Sequence, residues 1–277
     1  MKVLSPSKVN FGLWVLYKRS DGFHEIRSVF LPVDLYDEIE INHSELIRII
    51  ATEGPEGDEN IVFKVLKVMS EELNKFLSAD IFIKKSIPIG GGLGGGSSNA
   101  AAIIKAVNEI YGLNLESEKL LNIALKIGSD VPFFILQEPA IVRGRGDEIE
   151  RLDIKFPYYF LIHYPGFKID TSWAYSVISK FLSNDYKVKE RSFESLVSLL
   201  RDGKFKEALL VLENDFERVV FKKFPDYLDL ISFYKKKGAI KSFLTGSGSC
   251  LVSVFEDKIN IEVKEGKLFW CKQWGVV

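Results

Sequence analysis

Glycine fills six of the seven positions from 90 to 96, Gly90, Gly91 and Gly92, then Gly94, Gly95 and Gly96 after a single Leu93, and Ser97 and Ser98 follow directly. Glycine loses more backbone entropy on folding than any other residue, so such a cluster is destabilising unless something requires it. Two requirements fit. A chain bare of side chains can turn successive N–H groups onto an anion, with the positive end of a following helix behind it. Alternatively, it can lie flat against a neighbouring backbone. Six glycines around one leucine, at a strand-to-helix junction, favour a phosphate cradle, to which Ser97 and Ser98 add hydroxyls for the anion or for Mg2+. Gly90, Gly92 and Gly95 match G-x-G-x-x-G, but two helices follow instead of the second parallel strand that a dinucleotide site requires. Gly91 to Gly96 have the spacing of a Walker loop, yet Ser97 stands where its lysine belongs. Neither familiar nucleotide loop is present.

Other residues have both a chemical and a structural reading. Asp130, in "GSDVPFF", follows a helix stop and is enclosed by Val131, Pro132, Phe133 and Phe134. It is either a partly desolvated functional carboxylate or a helix-end cap. Lys8, in "SPSKVNFG", reads on its own as a solvated loop lysine, and Asn10 as a polar residue at a strand edge. Lys85 belongs to a Lys84–Lys85 pair that suits a surface, and Asn60 opens a helix as an N-cap. His24 follows a turn beside Phe23, whereas His43 and His163 read as surface or core residues. Thr171 and Tyr175, four apart, share one helix face, where Tyr175 reads as a core tyrosine. "TGSGSC", residues 245–250, is a tight connection between two strands.

The elements that position these residues are legible from period and punctuation. Residues 1–52 contain the short strands "KVLS", "NFGLWVLY", "HEIRSVFL", "DEIEIN" and "LIRIIAT", with "KRSDG" as a hairpin turn. Val62, Val65, Leu66, Met69, Leu73, Phe76 and Leu77 give residues 60–77 a helical period. "DIFIKK" alternates as a strand into the glycine loop, and Ser97–Tyr111 is helical. "SEKLLNIALKIG" is a second helix, with Ser117 as N-cap and Gly128 as stop. "PFFIL", "PAIVRG", "DEIERL" and "YYFLIHYPG" read as strands. Helices then dominate to Gly238, among them "PDYLDLISFYKKKG", whose proline start and lysine end suit the helix dipole. "IKSFLTG" and "CLVSVFE" are strands, and "KINIEVKEGKLFWCKQWGVV" also reads as strands. A soft boundary near residue 155 predicts two α+β domains, 1–155 and 156–277.

Bulk composition removes several classes of function. With 37 basic and 38 acidic side chains the net charge is −1, which leaves no electrostatic footprint for nucleic acid or an anionic membrane. Two cysteines, without a CxxC, predict neither a disulfide scaffold nor a structural zinc site and suit a reducing cytoplasm. The start "MKVLSPSKVN" has no apolar signal region, and no run of 18 apolar residues occurs. The expected partners are therefore small molecules, with no nucleic acid and no membrane.

"PIGGGLGGGSSNAAA" resembles the phosphate loop of the GHMP kinases, which include galactokinase, homoserine kinase, mevalonate kinase and phosphomevalonate kinase. "SPSKVNFGLWVLYKRSDGFHEIRSVF", "GSDVPFF", "GRGDEIE", "YPGFKIDTSWAY" and "LTGSGSCLVSVF" follow in the order and spacing of the branch that acts on a cytidine-diphosphate-linked polyol. At the C-terminus the family places a helix before its last strand, where this chain reads as strands. The resemblance implies a two-domain GHMP-kinase-like fold: an N-terminal domain of ribosomal-protein-S5-like type, a C-terminal domain of ferredoxin-like type, and an active site in the cleft between them. It implies ATP and Mg2+ as cofactors, with no metal-ligating residue singled out. Pro88, Ile89 and residues 90–98 would hold ATP, together with Asn60 and Lys85. Asp130 takes the position of the family's aspartate base, and Lys8 that of the lysine beside it, favouring its ionised form. Asn10 would position the polyol. Phe23, His24, Thr171 and Tyr175 would bind the cytidine, with His24 on the base edge and Tyr175 stacked on the ring. "TGSGSC" would lie close to the phosphate loop. A mevalonate- or homoserine-type kinase is the alternative, against which "GFHE" with Thr171 and Tyr175 argues. A regulator that binds nucleotide without turnover is a third reading, against which Lys8 and Asp130 argue.

Overall fold

The computed structural model describes residues 1–182 and 186–275. Two long strands open the chain, β1 (Lys2–Lys18) and β2 (His24–His43), and they pair with each other. The sequence reads each of them as two shorter strands, "KVLS" with "NFGLWVLY" and "HEIRSVFL" with "DEIEIN", interrupted at residues 6–9 and 32–36. The strand persists at Pro32 because a second segment pairs with it there. Trp274 N–H donates to the Pro32 carbonyl at 2.8 Å, Asp34 N–H donates to the Lys272 carbonyl at 3.0 Å, and Val33 bridges Gln273. The turn between β1 and β2 falls at the predicted "KRSDG", with Gly22 at φ +87° and the Asp21 carboxylate accepting from Phe23 N–H.

The described residues form two compact units, each assembled from interleaved stretches of chain. The first comprises Met1–Ser7, Leu35–Ile89 and Gly94–Gln137. Here β4 (Ala79–Lys84) lies between β3 (Arg48–Ala51), to which it is parallel, and the end of β2, to which it is antiparallel, with Ile81 opposite both Ile49 and Ile41. Alternation decides the faces: Ile39, Ile41, Ile81 and Ile83 are buried, while Glu38, Glu40, Phe82 and Lys84 face outward. Four helices pack together beside these strands: α1 (Ile61–Leu73), α2 (Gly95–Ile110), α3 (Ser117–Ile127) and α4 (Val131–Leu136). Val62, Val65, Leu66 and Met69 form the buried stripe of α1, and Asn74 ends it in the left-handed region at φ +46°. Phe76 and Leu77 follow that stop, so the helix is shorter than its apolar period suggests. The N-cap of α3 is Glu116, one residue before the expected Ser117. "PFFIL" is α4 and not a strand. A short apolar run does not itself distinguish the two, and Pro132 in the first turn, where a missing N–H is harmless, decides for helix.

The second unit comprises Lys8–Asp34, Gly90–Leu93 and the described residues from Glu138 on. The first part of β2 pairs antiparallel with β5 (Ala140–Arg143), which pairs with β6 (Glu148–Arg151). A separate antiparallel sheet follows the order β10–β7–β9–β8, from β7 (Tyr159–Tyr164), β8 (Lys241–Leu244), β9 (Leu251–Phe255) and β10 (Lys267–Cys271). Between β7 and β8 run α5 (Thr171–Ile178), α6 (Lys187–Arg201), α7 (Phe205–Val211), α8 (Glu217–Lys223) and α9 (Asp226–Lys236). The apolar faces of α5, α8 and α9 join Leu161, Leu244, Leu251 and Phe255 in one core with Ala174, Phe216, Val220, Tyr227 and Tyr234. In the C-terminal stretch the strand expectation holds for β10, while residues 258–263 have no ladder and 276–277 lie outside the described residues. Ile259, Ile261 and Val263 do alternate and do pack on the core. Alternation reports a buried face, and a strand also needs a partner. Among the described residues no helix is long and apolar enough to cross a membrane.

Glu217, the first residue of α8, accepts the Leu244 N–H at 2.9 Å. Burial, with the neighbouring Glu213 charge adding to it, pushes its carboxyl up to about 7, while the Leu244 N–H and Lys241 pull the other way. The folded protein therefore holds this proton above pH 4.5, where the unfolded chain has released it. Its contribution to stability is complete below that pH and is lost as pH rises through about 7. Thermal melts between pH 5 and 8 should show Glu217→Gln losing less stability than the parent across that range, by about 1–3 kcal/mol.

Candidate functional site

The glycine loop is built by backbone proximity. Gly90, Gly92 and Gly94 take left-handed φ values of +72°, +79° and +71°. A Cβ on Gly92 would lie 2.2 Å from the Thr245 carbonyl oxygen. Residues 245–250, between β8 and β9, are closed by Thr245 N–H to Cys250 O at 3.1 Å and Gly248 N–H to Thr245 O at 3.0 Å. Cys250 N–H reaches back to the Gly91 carbonyl at 3.1 Å, and Lys8 N–H donates to the Leu93 carbonyl at 3.0 Å. The expected proximity of "TGSGSC" to the loop is thus present, and Gly92 is needed for close backbone packing.

The loop's far end opens α2 at Gly95, whose φ is not left-handed and whose added Cβ would meet Ile87 Cγ2 at 3.0 Å. Ser98 is buried and its hydroxyl accepts from Ser5 Oγ at 2.7 Å, so it is turned inward. Ser97 is partly exposed. Lys85 is not a surface charge: its ammonium pairs with the fully buried Asp37 and donates to Asn99 Oδ1 at 3.2 Å. Asn60 is the N-cap of α1, accepting from Val62 N–H at 3.0 Å and donating to the Pro55 carbonyl at 2.8 Å. Asp130 precedes α4 in right-handed φ/ψ, and its side chain does not cap that helix.

In the second unit Lys8 lies within β1 and is only 4% exposed, so the solvated reading fails. Its ammonium donates to Asn10 Oδ1 and lies 4.5 Å from the Phe30 ring centre. The Asn10 amide donates on to Ser28 Oγ at 3.1 Å, and Ser28 donates to the Gly12 carbonyl at 2.6 Å. The Asn10 backbone N–H is taken by Thr245 Oγ1 at 2.9 Å. A run of hydrogen bonds with one direction therefore sets which end of the Asn10 amide faces the lysine.

His24 and Tyr175 meet, with ring centres 4.8 Å apart and planes 27° from parallel, and Phe216 packs edge-on to Tyr175 at 4.9 Å. His24 Nε2 lies 2.7 Å from Ser179 Oγ, whose own proton goes to the Tyr175 carbonyl at 2.7 Å. Nε2 is therefore the donor, and Nδ1 of the neutral ring is an acceptor. Burial, aided by the Lys18 charge, lowers the His24 pKa and so favours the neutral ring. Phe23 is half exposed with the Arg145 guanidinium 5.1 Å from its ring centre. Thr171, at the start of α5, bonds instead to Ser247 at 3.1 Å.

Three supporting residues, two in the second unit and one in the first, carry no signal in the sequence. Asn214 donates to the carbonyls of Leu244 and Gly246 at 2.7 and 2.9 Å, holding the entry to the 245–250 turn. Ser179 orients His24, and Asp37 holds Lys85. "LENDFE" looks like an ordinary charged stretch, Asp37 opens the strand "DEIEIN", and no spacing rule links Asp37 to residues almost fifty positions away. Among the described residues no group of three or more His, Cys, Asp or Glu could hold a metal ion.

The glycine loop thus packs by its backbone on the 245–250 turn and takes the Lys8 N–H of β1. Residues 60–138 match the family described as GHMP kinases N terminal domain, and residues 192–267 match GHMP kinases C terminal. The chain belongs to the GHMP kinase family. It is 38% identical, over 100% of this chain and 98% of the other, to a protein of Persephonella marina named 4-diphosphocytidyl-2-C-methyl-D-erythritol kinase. A protein of the same name from Geobacter sp. (strain M21) is 37% identical over 93% of this chain and 90% of its own. A crystal structure of 4-(cytidine 5'-diphospho)-2C-methyl-D-erythritol kinase superimposes with a TM-score of 0.73 at 29% identity, covering 92% of this chain and 90% of that one. The homoserine kinase of Cytophaga hutchinsonii shares the fold, with a TM-score of 0.72 at 19% identity over 93% of this chain and 86% of its own.

The loop geometry separates two kinds of glycine. Gly92→Ala forces a methyl group into the Thr245 carbonyl at a left-handed φ and should lower the melting temperature by several degrees. Gly96 lies inside α2, and its added Cβ would find Ile61 at 3.9 Å, an ordinary contact. Gly96→Ala should melt no lower than the parent, since alanine is better than glycine in a helix by about 1 kcal/mol. Thermal denaturation of the two variants checks both.

Proposed function

We propose that this chain transfers the γ-phosphoryl group of ATP to the 2-hydroxyl of 4-diphosphocytidyl-2-C-methyl-D-erythritol, a step in the non-mevalonate route to isoprenoid precursors. The reading is carried by likeness over the whole chain to kinases of that name. The His24–Tyr175 pair supports it, because an alcohol kinase without a nucleotide-bearing acceptor has no use for a base-reading group.

In this reading the loop backbone and the first turn of α2 receive the triphosphate. Mg2+, when bound, neutralises phosphate charge. It would be held mostly by phosphate oxygens, with Ser97 rather than the inward-turned Ser98 as the serine fit to assist. Asp130 accepts the proton of the attacking hydroxyl as its oxygen bonds to the γ-phosphorus and the bond to the departing ADP oxygen breaks. Lys8 stabilises the charge on the transferring group. Asn60, Lys85, Pro88 and Ile89 belong to the nucleotide side, and Asn10 to the polyol. Phe23, His24, Thr171 and Tyr175 belong to the cytidine. The acceptor Nδ1 of His24 suits an exocyclic amino group, which cytosine has and uracil lacks.

ADP release measured over a panel of the cytidine-linked polyol, mevalonate and homoserine should show turnover with the first alone. Turnover with either of the others in its place would overturn the assignment. Asp130→Asn should keep nucleotide affinity while kcat falls roughly 10²–10⁴-fold. Near-full activity would remove Asp130 from the mechanism. Tyr175→Ala should raise the Michaelis constant for the cytidine substrate by roughly tenfold or more, with that for ATP unchanged, since stacking is worth about 1–3 kcal/mol per base. His24→Ala should in addition weaken discrimination against the uridine analogue.

A further inference from the structure

Asp37 is fully buried in the second half of β2 and, beyond pairing with Lys85, has been given no part in binding nucleotide, polyol or cytidine. Its carboxylate is occupied on both oxygens. Oδ1 accepts Ser86 N–H at 2.8 Å and Ile87 N–H at 2.9 Å, the two amides by which the chain leaves Lys85 for the glycine loop. Oδ2 takes the Lys85 ammonium and the Asn99 side-chain amide, the latter at 2.9 Å. Asn99 lies in the first turns of α2, just past the loop, and the same amide also donates to Ser5 Oγ at 3.0 Å. Ser5 in turn donates to Ser98 Oγ.

One buried anion thus holds the segment that enters the loop and the helix that leaves it. We infer that Asp37 is a positioning residue for the phosphate loop, setting the distance between its two stems without touching nucleotide. The inference rests on the reading that the loop holds the phosphates of ATP. Hydrogen bonds to an ionised acceptor are about twice as strong as neutral ones, and four such bonds on a single carboxylate make a stiff joint. A phosphate cradle depends on such stiffness, because N–H groups aimed at an anion lose their effect when they can turn away.

Asparagine at this position cannot satisfy the same set. An amide that keeps its oxygen on Ser86 and Ile87 turns its NH2 onto Lys85 and Asn99, which are donors themselves. Asp37→Asn should therefore loosen one stem from the other while filling the same volume.

The test compares ligands that differ only in phosphates. Isothermal titrations of the full-length parent and of Asp37→Asn with ATP, ADP and adenosine report how much of any loss belongs to the loop. The expected result is an ATP Kd raised about tenfold, with the adenosine Kd within about twofold of the parent. Loss of the same factor for ATP and adenosine, or no loss for either, would overturn the positioning role and leave Asp37 as a support of the fold alone. If the parent itself binds ATP no more tightly than adenosine, the loop does not hold phosphates, and the inference falls together with that reading. Should Asp37→Asn fail to fold, Asn99→Ala removes one arm of the joint and keeps the Asp37–Lys85 pair. It should raise the ATP Kd about threefold and leave adenosine unchanged, and an equal loss for both ligands, or none for either, would count against the joint.

Discussion

Gly92 lies so near the Thr245 carbonyl that a methyl group on it would be 2.2 Å away. On the other side of the same short loop, Leu93 gives its carbonyl to the Lys8 N–H, and Gly91 gives its carbonyl to Cys250 N–H. The loop is therefore gripped through its carbonyls. A backbone used on both sides has no room for side chains. Much else in the second unit follows from keeping that contact: the positive φ of Gly246 and Gly248, the Asn214 side chain across the turn entry, and the Thr245 hydroxyl on Asn10.

Charge burial is the second theme. Lys8 in one unit and Asp37 with Lys85 in the other are removed from water. Buried ions are expensive unless well partnered, and an apolar replacement is often no less stable. Each of these groups has its partners supplied by side chains fixed in turn by others, as Asn10 is by Ser28 and Asn99 is by Ser5. Such arrangements contribute direction more than stability, and direction is what phosphoryl transfer requires from a protein.

The sequence made the loop, the helices and most strands legible because each is a local pattern. The period of α1, the Pro–Lys–Gly frame of α9 and the serine-rich start of α2 lie within single windows. What it did not reveal depended on distance. Pro32 looks like a strand end until residues 272–274 supply partners from the far end of the chain. Lys8 and Lys85 look like solvated charges until Asn10 and Asp37 are placed beside them. "PFFIL" is apolar in either conformation, and Pro132 was the clue that strand periodicity overlooked. At the candidate site the residue types were readable and their partners were not. His24 and Tyr175 could be named, but Ser179, which decides where the imidazole proton resides, had no signal of its own.

The pairing of β2 with the last described residues bears on how the protein is made. Lys272 N–H donates to the Asp34 carboxylate at 2.6 Å, and Trp274 N–H to the Pro32 carbonyl at 2.8 Å, contacts that span about 240 positions. During synthesis at roughly 5–20 residues per second, the middle of β2 waits on the order of tens of seconds for these partners. Until then its carbonyls and amides there form an unfinished edge on a nascent chain. Such an edge can be taken by another strand, so the birth of this enzyme on the ribosome is the moment at which it is most open to misassembly.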